Sequence, residues 1–412
     1  MTSRAFEFLC LALVAVLVAV VSSTQILKAQ EDCSEPQAIQ TAFGKEETAS
    51  GRIDGASLSQ TIPAEGARYV RALLSYERHS SCGWFLTVRD EAFHPLQVFT
   101  AAEFDGASQR WTVRVPGSRV RFDLKGCKGS EMPVLVISRL IKMPASATAS
   151  ASTYYSVRDK TSPWQNLYDP GQPTVRLPRV PSGDYVGMLM SSLAGPNLSG
   201  VIRTFLWTCS GVMIGPSMYL TNWHCGGPDP RDVKLADDHF WTPDVIRNIL
   251  IDMSWDDDQI SEEYSATRLV AASPELDLAV LEIHPVRFGG RTRSATFRES
   301  PPSVNEPLYI VHHPLALRKQ YSGQCSVQQT GFANWRSAAN RSDLVHDCNT
   351  EGGSSGAPLF DSDGLIVGLH HLPYTYKPGT CEITSRNKAV SSPSIVRFLT
   401  GIPEIGTNIS VR

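Results

Sequence analysis

Three short segments hold residue types that perform nucleophilic chemistry once they are brought together. Thr208-Cys209-Ser210-Gly211-Val212 leads into Leu220-Thr221-Asn222-Trp223-His224-Cys225, and Leu276-Asp277-Leu278-Ala279-Val280-Leu281 follows. Thr350-Glu351-Gly352-Gly353-Ser354-Ser355-Gly356-Ala357-Pro358-Leu359 comes last. A serine hydroxyl is a poor nucleophile near neutral pH and needs a neighbouring base to take its proton. An imidazole such as His224 titrates close to operating pH, so it can accept that proton and return it to a leaving amine. A carboxylate behind the ring, here Asp277, would hold one tautomer and stabilise the imidazolium. Taken singly, each segment has a plain structural role. The Gly-Gly-Ser-Ser-Gly run is then a flexible turn, His224 a hydrogen-bonded core residue and Asp277 a strand-end cap.

In the order His, Asp, Ser, the three segments together resemble the chymotrypsin-like serine peptidases. The resemblance implies an all-β fold, a chymotrypsin-like double six-stranded β-barrel, with His224, Asp277 and Ser355 as the triad. It assigns the oxyanion hole to the backbone N–H groups of Gly353 and Ser355. Gly353 suits that task, because a residue without Cβ can turn its N–H inward at little steric cost. Losing one such donor costs about 3–4 kcal/mol of transition-state stabilisation. The resemblance also implies a Cys209–Cys225 disulfide closing the histidine loop, which contributes roughly 3 kcal/mol in the loop-entropy account. A rival motif is the α/β-hydrolase G-x-S-x-G elbow, which Gly352 to Gly356 fits formally with Ser354 as nucleophile. It requires a helix after the serine and a histidine well downstream. Here the following residues read as a hairpin, and His370 and His371 come too soon.

Within that superfamily the segments look most like the bacterial glutamyl and lysyl endopeptidases, through Ile310-Val311-His312-His313-Pro314, the nucleophile run and Val367-Gly368-Leu369-His370. The glutamyl type reads an acidic side chain with a threonine ahead of the nucleophile and a histidine after it. Thr350 and His370 match those positions, and both side chains can donate to a carboxylate. The lysyl type shares the histidine pair before proline and a cysteine comparable to Cys381, but it uses a downstream pocket carboxylate. Arg386, Asn387 and Lys388 stand there instead, which disfavours a basic substrate side chain. Neither His312-His313 nor His370-His371 can chelate by itself, since neighbouring strand residues point to opposite faces. No metal and no other cofactor is expected.

The elements that must position these residues are short strands. Tyr185–Met190, Gly211–Ile214, Leu278–Ile283, Leu308–His312 and Gly364–Leu369 recur at the spacing of a barrel, and Ile395–Leu399 reads as a final short helix. These place a peptidase domain at 183–402. Upstream, Arg68–Tyr76, Trp84–Arg89, Trp111–Val115, Arg119–Leu124 and Val134–Leu140 alternate as strands, giving a β-sandwich-like accessory or pro-domain at 31–143. Between them, 144–182 is rich in Ala, Ser and Pro and reads as a linker. Arg176 and Arg179 lie in it, where a processing protease could reach during activation of a zymogen.

The first 23 residues read as a signal peptide: Arg4, an apolar stretch from Phe8 to Val21 of 14 residues, then small residues around Ser22. An uncleaved anchor is the rival, but a bilayer span needs about 20 residues. Of nine cysteines, Cys10 falls in this segment, leaving an even set suited to disulfides in a secreted or periplasmic protein. Cys325 and Cys348 are expected to bridge the strands leading into the nucleophile loop; Cys82 and Cys127 could clip two sandwich strands, and if they pair, Cys33 and Cys381 are left over. With 38 Lys+Arg against 41 Asp+Glu, the net charge of −3 gives no whole-chain attraction to nucleic acid or anionic lipid. The expected partners are protein or peptide substrates, acting on a monomer with no membrane attachment after signal cleavage. The competing class is a binding or adhesion protein on a degenerate protease scaffold, which would not need an intact triad.

Overall fold

Period-two alternation decides which face of each strand is buried. In Arg119–Lys125, Val120, Phe122 and Leu124 are buried, whereas Arg119 and Lys125 are exposed. The computed structural model describes residues 45–104, 109–126, 131–143, 161–163, 181–197, 199–228, 239–255, 262–287, 294–373, 375–376, 383–406 and 408–412. The expected signal peptide, most of the expected linker with Arg176 and Arg179, and Cys10, Cys33, Cys127 and Cys381 lie outside them.

The N-terminal strands form two sheets. One runs Lys45–Ile53, Val134–Met143, Tyr69–Arg78, Gln109–Trp111, and the other Ser59–Pro63, Arg119–Lys125, Phe85–Arg89, Pro95–Thr100. Leu74, Leu86, Phe99, Phe104, Phe122 and Leu135 are among the side chains filling the space between them. One expected strand is interrupted. Instead of a continuous Trp111–Val115 strand, only Gln109–Trp111 and Val115–Pro116 pair with Tyr69–Arg78. Thr112 N still donates to the Ala72 carbonyl at 2.9 Å, but Val113 N donates to Gln97 Oε1 at 2.8 Å and Arg114 N to Glu263 Oε2 at 3.0 Å.

Two closed barrels follow. The first is Val186–Pro196, Ile202–Gly215, Met218–Thr221, Leu278–Arg287, Glu263–Ser273 and Leu250–Asp252. The second closes through Pro358–Phe360, Pro307–His312, Gln320–Phe332, Asp343–His346, Asn387–Ser391 and Ile366–Leu372. The fold is therefore an all-β double six-stranded barrel preceded by a two-sheet sandwich. Thr161–Pro163 adds antiparallel to Gln320–Ser322. The final helix is Ser392–Thr400, with Ile395 and Leu399 buried in a core that joins Val212 and Leu278 of the first barrel to Phe360 and Leu369 of the second. Among the described residues no helix is long and apolar enough to cross a membrane.

The sandwich is docked on the first barrel through apolar and charged contacts. Tyr69, Leu73, Trp111 and Ile141 pack with Met188, Met190, Leu250 and Trp255. At the same boundary Arg71 donates to Glu263 Oε1 at 2.5 Å and to Asp252 Oδ2 at 2.7 Å. All three side chains are almost completely buried, as is Arg114, whose Nε lies 3.5 Å from Asp252 Oδ2. Two guanidiniums thus face two carboxylates, and Arg287 Nη1 donates to the Arg114 carbonyl beside them at 3.2 Å.

Candidate active site

His224 sits on a tight turn at the end of a hairpin. The hairpin strands come close because Gly211 lies under Tyr219, where a Cβ would stand 2.5 Å from the ring. After Thr221 the chain enters the short 3-10 turn Trp223–Gly226. A Cys209–Cys225 disulfide ties that turn back to the preceding strand. Indole groups brace it further: Trp241 Nε1 donates to the Trp223 carbonyl at 2.7 Å and Trp207 Nε1 to the Cys225 carbonyl at 2.8 Å. Gly226 is required, since a Cβ there would meet the Trp241 ring at 2.3 Å.

Asp277 stands immediately before the strand Leu278–Arg287, with φ +54°, a left-handed conformation that Asp tolerates better than most residues. Asn222 Nδ2 donates to its carbonyl at 3.0 Å. Its buried carboxylate then grips His224 twice: Oδ1 accepts from the His224 backbone N–H at 2.9 Å, and Oδ2 lies 2.8 Å from Nδ1. Oδ2 also faces His371 Nδ1 at 3.3 Å. Burial alone would raise the Asp277 carboxyl, but His224 and His371 outweigh it and hold the group well below the usual carboxylate range.

Ser355 is carried on a loop that two glycines make possible. Gly356, at φ +84°, packs so closely that a Cβ would stand 2.2 Å from the Ser210 carbonyl and 2.4 Å from Thr221 Oγ1. This contact brings the loop against the hairpin that carries His224. Ser210 N donates to the Ser355 carbonyl at 2.7 Å and Gly356 N to the His370 carbonyl at 2.8 Å. The Ser355 hydroxyl is half-buried and, among the described residues, makes no hydrogen bond to His224. Such contacts are often long before substrate arrives.

Gly353 has φ +91°, and a Cβ there would meet the His313 carbonyl at 2.6 Å. The Gly352 carbonyl accepts from Leu315 N at 2.5 Å. A trans peptide sets its N–H opposite its C=O, so the Gly353 N–H points away from Leu315. Among the described residues, neither the Gly353 nor the Ser355 amide donates to a protein acceptor. Ser354, the rival nucleophile, is buried, with Oγ 2.8 Å from His312 Nδ1 and accepting from Glu351 N at 3.0 Å.

Thr350 and His370 are both buried, and among the described residues Thr350 Oγ1 has no hydrogen-bond partner. His370 Nδ1 meets His346 Nε2 at 3.1 Å. Burial pushes the ring of His370 well below its ordinary value, and neighbouring histidines push the same way. The strand bearing His370 runs beyond the expected Leu369 to Leu372, so it also presents His371, and His371 Nε2 lies 3.0 Å from Asp343 Oδ2. The sequence alone assigns His371 no catalytic or binding role. Its one legible signal was alternation: if His370 faces one side of the strand, His371 must face the other.

The sulfurs of Cys209 and Cys225 cluster with a His224 ring nitrogen within 4.8 Å. Those sulfurs are consumed in a disulfide, so the group offers no thiolate to a metal. Cys325 pairs with Cys348. Cys82 is disulfide-bonded, while Cys127, the partner expected for it, lies outside the described residues.

Residues 209–369 match the trypsin-like peptidase domain family. No curated protein matches the chain. Among solved structures, the Rv3671c protease of M. tuberculosis in its active form is similar over 57% of this chain and 87% of its own, at 17% identity and a TM-score of 0.38. The HtrA-type protease AlgW with a decapeptide is similar over 54% of this chain and 64% of its own, at 17% identity and a TM-score of 0.41. Over residues 209–369, which hold His224, Asp277 and Ser355, the chain is thus similar to trypsin-like peptidase domains.

Proposed function

We propose that the protein is a secreted serine endopeptidase that forms an acyl-enzyme at Ser355. The observation that carries this reading is the two-point hold of Asp277 on His224, at 2.9 and 2.8 Å, beside a nucleophile loop packed against the same hairpin. In the cycle, His224 takes the Ser355 proton as Oγ attacks the substrate carbonyl, then returns it to the leaving amine. The amides of Gly353 and Ser355 receive the oxyanion. Water, deprotonated by His224, then releases the acyl group. Disulfide use, with Cys209–Cys225 and Cys325–Cys348 formed, favours an oxidising compartment.

The substrate residue before the scissile bond is proposed to be acidic. Among the described residues Thr350 Oγ1 is a buried hydroxyl lacking a partner, and such a group costs roughly 1–3 kcal/mol until something bonds it. A substrate carboxylate would accept from it. It would also accept from His370, whose neutral ring donates through Nε2 when Nδ1 accepts from His346. A fluorophosphonate probe tests the nucleophile. It should label the wild type and leave S355A unlabelled; equal labelling of both would remove Ser355 from the role.

A further inference from the structure

We propose that His371 is a positioning residue for this site: a buried imidazolium, clamped between Asp277 and Asp343, that fixes the carboxylate supporting His224. The inference rests on the serine-peptidase reading above. Its geometry is independent of substrate. His371 Nδ1 lies 3.3 Å from Asp277 Oδ2 and Nε2 lies 3.0 Å from Asp343 Oδ2, with all three side chains fully buried. An ionised carboxylate oxygen can only accept hydrogen bonds. A ring with a carboxylate oxygen against each nitrogen therefore satisfies both contacts only when both nitrogens carry protons, which makes it a cation.

Asp343 is held for this task, because its other oxygen accepts from Ser342 Oγ at 3.0 Å. Burial alone would strip the extra proton from His371, but Asp277 and Asp343 outweigh it and raise the ring to about 9. The other titratable groups near this ring, His346 and His370, are buried and kept neutral. The result is a row of alternating groups: His224, Asp277, His371 and Asp343. Since Oδ2 of Asp277 serves both rings, rotating it away from His224 would break two contacts. The His371–Asp343 pair adds no net charge behind the triad.

The pH dependence of kcat/KM distinguishes this role from simple packing. H371Q removes a cation and leaves Asp343 unbalanced, so the acidic limb should move up by roughly one pH unit. D343N removes the anion, and the limb should move down by a similar amount. The double variant H371Q/D343N should return close to the wild-type limb. Rates that fall in all three variants with an unmoved limb would overturn the proposal. A second measurement needs no variant. Nitrogen NMR of histidine-labelled wild type at pH 8 should show one imidazolium with both ring nitrogens protonated. Finding only neutral rings would overturn the proposal even if both variants fail to fold. A wild type without Ser355-dependent hydrolysis would instead remove the peptidase reading, and the nitrogen spectrum would still decide the state of His371.

Discussion

Asp277 concentrates the consequences of a single side chain. It orders the His224 backbone and ring together, and it does so from a fully buried position. D277N would keep the volume and the φ +54° conformation, which Asn also tolerates. It would present an amide to a ring that needs an acceptor, so kcat should fall by about 10⁴. Steady-state kinetics at neutral pH measure this, and a loss under tenfold would contradict the assigned role. Specificity is likewise a matter of single atoms. T350V removes the unpartnered hydroxyl with little change in volume, and should lower the preference for Glu over Gln before the scissile bond by about 10–100-fold. An unchanged ratio would mean that Thr350 does not touch the substrate.

At the scale of elements, the nucleophile loop depends on close approach. G356A would drive a Cβ into the Ser210 carbonyl and Thr221 Oγ1 at a positive φ, where neither contact is a flexible side-chain end. The expected outcome is loss of probe labelling in a protein that keeps its far-ultraviolet circular dichroism. This level also shows what was legible in the sequence. The glycines, the serine and the histidine with its flanking cysteine lie within short runs whose spacing local turn geometry dictates, so they could be read directly. His371 and Asp343 could not, because they meet only when strands 366–372 and 343–346 reach opposite sides of a shared neighbour, the strand Asn387–Ser391. The Trp111–Val115 error has a similar source. Alternation in that run was genuine, but Gln97 and Glu263, distant in sequence, took over two of its amides.

Across the whole molecule, the sandwich and the first barrel share a buried charged cluster of Arg71, Arg114, Asp252 and Glu263. Burial raises the Asp252 carboxyl, yet Arg114 and Arg71 outweigh this and hold it low. R71M would strand the carboxylates without one cation, and should cost about 3–5 kcal/mol in denaturant unfolding. A loss of that size would mean that the N-terminal module and the first barrel are coupled in stability. Buried histidines set the pH response. His312 and His346 are held to about 3 by burial, and His370 is also kept neutral. Their contribution is present above about 6.5 and is lost as pH falls toward 3, because the unfolded chain then binds protons that the folded one refuses. His371 runs the other way: raised to about 9, its contribution is full below about 6.5 and fades as pH rises through 9. Stability measured by thermal melting should therefore peak near neutrality. A melting temperature still rising from pH 6 to pH 4 would contradict the neutral histidine core.

The account stands on Ser355 as the nucleophile served by His224. Peptide mapping of protein inactivated by a fluorophosphonate locates the covalent bond directly. The adduct should sit on Ser355 and be absent when His224 is replaced by Ala; an adduct on the neighbouring Ser354, or one formed equally well without the imidazole, would contradict it.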